Sequence, residues 1–403
     1  MTGPLSGFKV IEIGQEIQGP FAALVLSDLG ADVIKVENRE SGDLSRWALA
    51  GALGGEGTKN PDVSPYFLAM NRGKRSITVN LKAPEGIEVV RRLAAMSDVL
   101  LTNYRPGVLD RLGLGFEDLK ALNPRIVFAQ GSSWGPNGPW VSRPSRDALA
   151  QAASGLMAKG GAEGDTPLPA AFAVADTSGG LTLATGILAA LLARERTGEA
   201  QRVDVSIYGT MIAMQGWEIN FTALTGKEPR RAGRGHQFIH GIWGAFPTAN
   251  GYIAIAGVDD RRWPAFCRIL GIEHVRDDPE FGANRARNMN GDRIRALLDT
   301  VLPARTTTAW LAELNPADIL ATEVVDYRSV LESEQARANG YLRPMDHPSA
   351  GPILVSGTPI VLNGEIPGEA QPPPEHGQHT EDILLETGYG WDEIVRLRES
   401  GAV

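Results

Sequence analysis

The 403-residue chain carries 39 Lys and Arg against 48 Asp and Glu, and the resulting charge of −9 and pI near 5.3 argue against nucleic acid as its main partner. Hydrophobic residues at 43% and charged residues at 22% are the proportions of an ordinary soluble globular protein, and the length calls for two domains. A single cysteine, Cys267, excludes an internal disulfide and suits a reducing compartment.

From the N-terminus, residues 1–9 lack a basic stretch ahead of an apolar run, so no secretory signal is expected. No uninterrupted apolar stretch reaches membrane-spanning length, and the expected compartment is the cytoplasm. Residues 9–13, 32–36, 76–81, 98–101 and 125–129 read as short strands. Between them, residues 21–29 and 84–96 carry apolar side chains at helical spacing, for example Ile87, Val90, Leu93 and Ala94. Strand alternating with helix predicts an α/β fold with a mainly parallel sheet. An apolar helix over about 181–194 is stopped by Thr197-Gly198-Glu199. Residues 225–236 are polar, basic and glycine-rich, and read as a linker. A hairpin over 245–256 turns at Asn250-Gly251, and helices follow near 263–270, 292–302 and 308–314, a small α+β domain. Residues 352–355 and 359–362 read as strands, and Gln371–Pro374 as a stiff connector to a last helix over 380–398. The predicted division is 1–220 for a large domain, 225–328 for a small one, and 329–403 for a return to the large one.

Asp176 is the most informative residue. It ends an apolar, proline-punctuated run and precedes Thr177-Ser178-Gly179-Gly180 and the apolar helix. A carboxylate there faces unpaired first-turn amides and a positive helix end, a good setting for a nucleophile. Glycines let a bulky ligand approach the backbone. The alternative is an N-cap Asp that serves the helix alone.

Around Asp176 a set of short motifs runs in fixed order. They are Gly19–Ala22, Leu29–Glu37, Asn71–Ile77, Asn103–Gly107, Leu109–Gly113, Gly135–Pro139, Leu149–Gly155, Ala175-Asp176, Thr197–Glu199, Phe246–Thr248, Asn250–Ile253 and His379–Leu384. In this order and spacing they resemble the class III CoA-transferases, the group that contains formyl-CoA transferase, carnitine CoA-transferase, bile-acid-inducible F proteins and the acyl-CoA racemases. The resemblance implies a Rossmann-like large domain with a small second domain, and a homodimer whose chains interlock. It implies coenzyme A and acyl-CoA as substrates with a small carboxylic acid, no permanently bound cofactor and no metal. It also implies that Asp176 attacks the donor thioester to form a mixed anhydride, which CoA thiolate converts to an aspartyl-CoA thioester.

Coenzyme A carries several phosphate charges, so Lys74, Arg75, Arg105 and Arg111 are candidate contacts for its nucleotide end; the bland reading is solvated surface cations. By resemblance, Asn103, Tyr104 and Arg111 line the CoA site, with Arg39 as a further contact. Formyl-CoA transferase has two consecutive arginines where this chain has Asn38-Arg39, so adenine stacking at residue 38 is not expected. Gln18, Arg146, Gly179 and Gly180 are candidate substrate contacts, with the Thr177–Gly180 amides as oxyanion donors. Ile17 occupies the place of a glutamine of formyl-CoA transferase, with Gln18 one residue late. The glycine-rich lid of formyl-CoA transferase is replaced by Gly233–Trp243, closer to the carnitine branch, and formate or oxalate is the less expected substrate. Arg146 precedes Asp147 where the racemases place a histidine, and a guanidinium is a poor base. Arg146 instead suits the free carboxylate of a dicarboxylic substrate; pairing with Asp147 or a CoA phosphate is the competing role. Racemisation and a non-catalytic CoA-binding paralogue stay open as alternatives. Gly14 to Gly19 does not make a dinucleotide-binding glycine pattern, and His236/His240 and His376/His379 read as loop histidines rather than metal pairs. Trp134 and Trp140 read as core or dimer contacts, and Cys267 as a core thiol.

Overall fold

Six short apolar runs build one parallel sheet. In the computed structural model, which describes residues 3–47, 63–368 and 370–403, they are β1 (Lys9–Ile13), β2 (Asp32–Asn38), β3 (Arg75–Val79), β4 (Val99–Thr102), β5 (Val127–Ser132) and β6 (Gln201–Ser206). Their order is β3-β2-β1-β4-β5-β6 with every pair parallel, the order of the doubly wound nucleotide-binding folds. β6 was not expected. Its Gln-Arg-Val-Asp-Val-Ser alternates polar with apolar, as an edge strand covered on one face does.

Neighbouring strand residues point to opposite faces and enter different cores. Val10, Val33, Val99 and Val127 pack with α1 (Gln18–Asp28) and a long helix through Leu183, Ile187 and Leu191. Ile11, Ile34, Leu100 and Phe128 pack on the other face with Val89 and Leu93. The C-terminal Ile383, Leu384, Ile394 and Leu397 join that second core. A helix covering β-sheet on each face is what strands of near-continuous Val, Ile and Leu require. The remaining helices used below are α2 (Pro65–Asn71), α3 (Pro84–Ala95), α4 (Asp147–Ala153) and α5 (Val174–Thr197).

α5 corrects the sequence reading twice. It starts at Val174, not near 181, so Asp176 and the small residues behind it lie inside the first turns. Two glycines within a helix cost about 1 kcal/mol each, and packing explains them. A Cβ on Gly179 would fall 2.6 Å from Ile207, and one on Gly180 2.8 Å from the Gln18 carbonyl. At 24 residues α5 is also long and apolar enough to cross a membrane, but half of its apolar 18-residue window is buried, and the helix packs on α1, β5 and β6. It stops at Gly198, whose φ of +75° closes the C-cap as expected.

The chain separates into two compact units, Met1–Ser154 with Ala171–Met214 and Ser333–Val403, and Gly155–Ala170 with Gln215–Glu332. The second takes residues 155–170, which the predicted boundaries left in the large domain. In it, Trp243–Thr248 and Gly251–Ala256 form the expected hairpin across Asn250, and Ala321–Glu323 adds an unexpected third strand. Helices Trp263–Leu270, Gly291–Val301 and Thr307–Leu314 surround a core that includes Trp263, Phe266, Trp310 and Cys267. Burial pushes the Cys267 thiol up to about 12, so it stays protonated.

Near the C-terminus, Gly351–Ser356 pairs with Leu342–His347. The 359–362 run is not a strand; Leu362 and Glu365 close a tight turn through Asn363 and Gly364, both at positive φ. The last helix is two, Thr380–Glu386 and Trp391–Glu399, separated at Gly388 with φ +86°.

Candidate active site

The chain runs outward from β1 to β3 and returns to β4 beside β1, so the carboxyl ends of β1 and β4 diverge at a topological switch point. Ligands of open parallel sheets bind in that crevice. Asn103, directly after β4, fastens the loop after β1: its Oδ1 accepts from the Gln15 N–H at 3.0 Å and its Nδ2 donates to the Gln15 carbonyl at 2.8 Å. A Cβ at Gly14 or Gly19 would press on Asn103 at 3.0–3.3 Å. Asn103 is thus a positioning residue for the crevice.

Beneath the loop lies a fully buried charge cluster. Glu12 binds Lys35 and Lys74, each at 2.6 Å, and Lys35 also reaches Asp43 at 2.7 Å and the Gly14 carbonyl at 3.1 Å. Burial works against both ammonium groups. Glu12, Asp43 and Glu37 outweigh it at Lys35 and hold that pKa above the ordinary lysine value, whereas Lys74 is pushed down to about 8. Asp43 hands the cluster's order outward, accepting the Glu16 N–H at 3.2 Å.

Asp176 stands half-buried at the third position of α5. The two free amides at that helix start, Ala175 N–H and Asp176 N–H, donate to Asp147 Oδ1 at 2.8 and 3.0 Å. Asp147 therefore caps α5 from the first position of α4, and its other oxygen accepts from Gln151. Burial first, then the charges of Asp147 and Glu16, push the Asp176 carboxyl up to about 7, against a smaller opposite pull from Arg146. A carboxylate so poised is a better nucleophile than one in the ordinary range, and it exists in both protonation states near neutrality.

The other candidates sort by place. Gln18 is buried, with its side chain laid over Gly131 and within 3.4 Å of where a Gly179 Cβ would be, so the shifted register still brings it beside α5. Gly179 and Gly180 make room for Ile207, Gln18 and Phe21, not for a ligand. The Thr177 amide bonds the Ala173 carbonyl, and the amides after it lie within the helix, so the expected oxyanion donors are already spent. Lys74 is not a surface cation. Its ammonium is enclosed by Glu12, Asn71 and the Pro20 carbonyl. Arg75 binds Asp32 and Glu386 in two bidentate pairs. Tyr104 lines a cleft of about 200 Å³ with Val36, Asn38, Leu81, Leu112 and Lys82, the last not singled out in the sequence. Arg39, Arg105 and Arg111 are exposed, Arg39 beside Gly401 and Arg111 folded over Gly107.

Arg146 pairs with neither Asp147 nor a neighbour on α4. Its Nη1 meets Glu16 Oε1 at 2.6 Å, in a pair open to solvent. Asp147, Glu16 and Tyr66, the last close enough to feel the charges of Glu16 and Asp176, were not foreseen at the site. An acid at the start of one helix capping another is a tertiary fact without a local signature. Trp134, Trp140 and Tyr208 form an edge-to-face cluster with Arg143 over both indoles. Of the paired histidines, His236 accepts from the Phe238 N–H, His379 from the Ser76 N–H, and His376 bonds the Asn38 carbonyl.

This sheet order, with a half-buried aspartate near its switch-point crevice, defines a doubly wound α/β protein. The model of CoA-transferase family III matches residues 5–380, and the chain belongs to that family: it is a class III CoA-transferase. It is 35% identical over 405 residues to an acyl-CoA transferase of Fusarium pseudograminearum, covering all of this chain and 88% of that one. It is 34% identical over 403 residues to succinyl-CoA:glutarate CoA-transferase of Mus musculus, covering 99% and 90%. The crystal structure of a CAIB/BAIF family protein from Brucella suis superposes with a TM-score of 0.85 at 31% identity, over 96% of this chain and 100% of that one.

Proposed function

We propose that the protein moves coenzyme A between two dicarboxylic acids, with Asp176 as the covalent relay. Asp176 attacks the thioester carbon of the donor, expelling CoA thiolate and leaving a mixed anhydride. The thiolate then attacks the Asp176 carbonyl, releasing the donor acid and forming an aspartyl-CoA thioester. The acceptor carboxylate attacks that thioester, thiolate leaves again, and its attack on the acceptor's acyl carbon frees Asp176. The observation that carries this reading is the Asp176 carboxyl itself, half-buried at the crevice and raised to about 7 beside Asp147.

With the α5 amides spent, the Gln18 Nε2, which lies beside Gly179 and donates to the Val205 carbonyl at 3.4 Å, is a side-chain donor that could turn to the oxyanion of each addition. The Tyr104–Leu112 cleft beyond β2 and β4 suits the nucleotide end of CoA, with Lys82, Arg39, Arg105 and Arg111 for its phosphates. The dicarboxylate rests on Arg146, an exposed guanidinium near Asp176, and is supported by relatives named as CoA-transferases of succinate, glutarate or oxalate. Arg146 also supports transfer over racemisation, because no histidine stands at its position. The reading extends to an interlocked homodimer, which light scattering and mixing of differently tagged protein would check.

The test is exchange of CoA between succinyl-CoA and a panel of acids, read as new thioesters by mass spectrometry. Arg146→Met is expected to lower kcat/KM for glutarate about tenfold, as loss of a charge-assisted bidentate bond does, and to spare butyrate. Equal losses on both acids would remove the dicarboxylate from the proposal.

A further inference from the structure

Glu16 is a carboxylate beside Asp176 to which the transfer steps give no task. Its backbone is strained, with φ +65°, one of three non-glycine residues at positive φ among the described residues. The strain is held from both sides. Asn103 grips Gln15 through its N–H and carbonyl, and the Glu16 N–H donates to Asp43. Asp43 in turn is fixed by Lys35 and by Ser45, whose N–H and Oγ donate to it at 2.8 and 2.7 Å. Buried groups thus over-determine a left-handed residue at the mouth of the crevice, the pattern of strain kept for a functional purpose.

What the strain aims is one carboxylate at one guanidinium. Glu16 Oε1 lies 2.6 Å from Arg146 Nη1, and the pair is open to solvent, with 34% and 74% of the two side chains exposed. Arg146 sits directly before Asp147, which caps the Asp176 helix, so the pair stands at the reacting end of the site. An exposed pair of this kind is weakly held and exchanges partners readily.

We infer that Glu16 is the resident stand-in for the free carboxylate of the substrate: it holds Arg146, and a dicarboxylate binds by taking its place. The inference rests on the dicarboxylate reading above and adds a residue that tunes the affinity for dicarboxylate acceptors. A dicarboxylate trades one Arg146 ion pair for another and displaces Glu16 into solvent. A monocarboxylate has nothing to trade and leaves the pair closed. Arg146 makes the selection and Glu16 tempers it, since the Glu16 charge lowers affinity for the acids that the enzyme selects.

Calorimetric titration of glutarate and butyrate into the purified full chain tests it. With Glu16→Gln, glutarate is expected to bind about two- to fivefold tighter, the range set by an exposed ion pair no longer in competition, while butyrate does not change. Glu16→Asn, which accepts left-handed backbone more readily, gives the same result if the carboxylate and not the strain is responsible. In an Arg146→Met background the gain disappears. Unchanged or weaker glutarate binding in both variants, an equal gain for butyrate, or no measurable glutarate binding in any of the proteins would overturn the inference. CoA exchange on the same samples separates the two readings: failure of the wild type to exchange sinks the transfer proposal, while the titration still judges Glu16.

Discussion

Two clusters of charge lie a few residues apart in this molecule and behave as opposites. Glu12, Lys35, Lys74 and Asp43 are fully enclosed, each carboxylate faces an ammonium, and the side chains bond within the cluster or to nearby carbonyls. Asp176, Asp147 and Glu16 are three carboxylates with one exposed arginine among them. Balance makes the first a structural tie that holds the β1 loop. Imbalance makes the second a site, because one proton near neutrality relieves it. Burial alone would not have told them apart; the count of compensating charges does.

The contrast breaks most visibly at Asp176. Asp176→Asn keeps the shape and loses the nucleophile, and is expected to lower CoA exchange about a thousandfold or more. The same change should stabilise the fold. Because the carboxyl is raised to about 7, the folded protein keeps a proton that the unfolded chain has lost, and wild-type stability falls as pH rises from about 4 to about 7. The variant lacks that loss and is expected to be about 1–3 kcal/mol more stable above pH 7, after allowance for solvent screening, and no more stable near pH 4. Denaturant unfolding across that range checks it. Glu12→Gln attacks the balanced cluster instead and leaves two buried ammonium groups short of a counter-charge. It is expected to cost about 3–5 kcal/mol, read as a lowered unfolding midpoint, with any surviving folded protein still carrying an intact Asp176. Asp147→Asn is the subtler change. Its amide oxygen still accepts from the α5 amides, but one of the charges raising Asp176 is gone, so the acid limb of kcat/KM is expected to move down by about one pH unit. A limb that stays in place would mean that the Asp147 charge does not help to raise the Asp176 carboxyl.

Much of the sheet was legible because its strands are near-continuous apolar runs between helices of clear period, as in Val99–Thr102 and Pro84–Ala95. β6 was not, since an alternating edge strand resembles a surface loop. The α5 start was misjudged because Gly179 and Gly180 read as a turn until Ile207 and Gln18 are seen to fill the space a Cβ would need. Asp176 stood out by its local setting and by resemblance. Its partners did not, since Asp147 is 29 positions away and Glu16 reaches Arg146 across 130. Lys74 and Arg75 show the converse limit: a basic pair ahead of a strand looks like a phosphate contact, and only the fold reveals Glu12 and Asp32 waiting for it.

The claim on which the rest depends is that Asp176 becomes covalently acylated. Incubating the protein with succinyl-CoA alone and then with hydroxylamine should inactivate it, and peptide mass mapping should find a hydroxamate on Asp176 and none in Asp176→Asn. An adduct on another residue, or wild-type protein that keeps full activity through the treatment, would contradict the covalent mechanism.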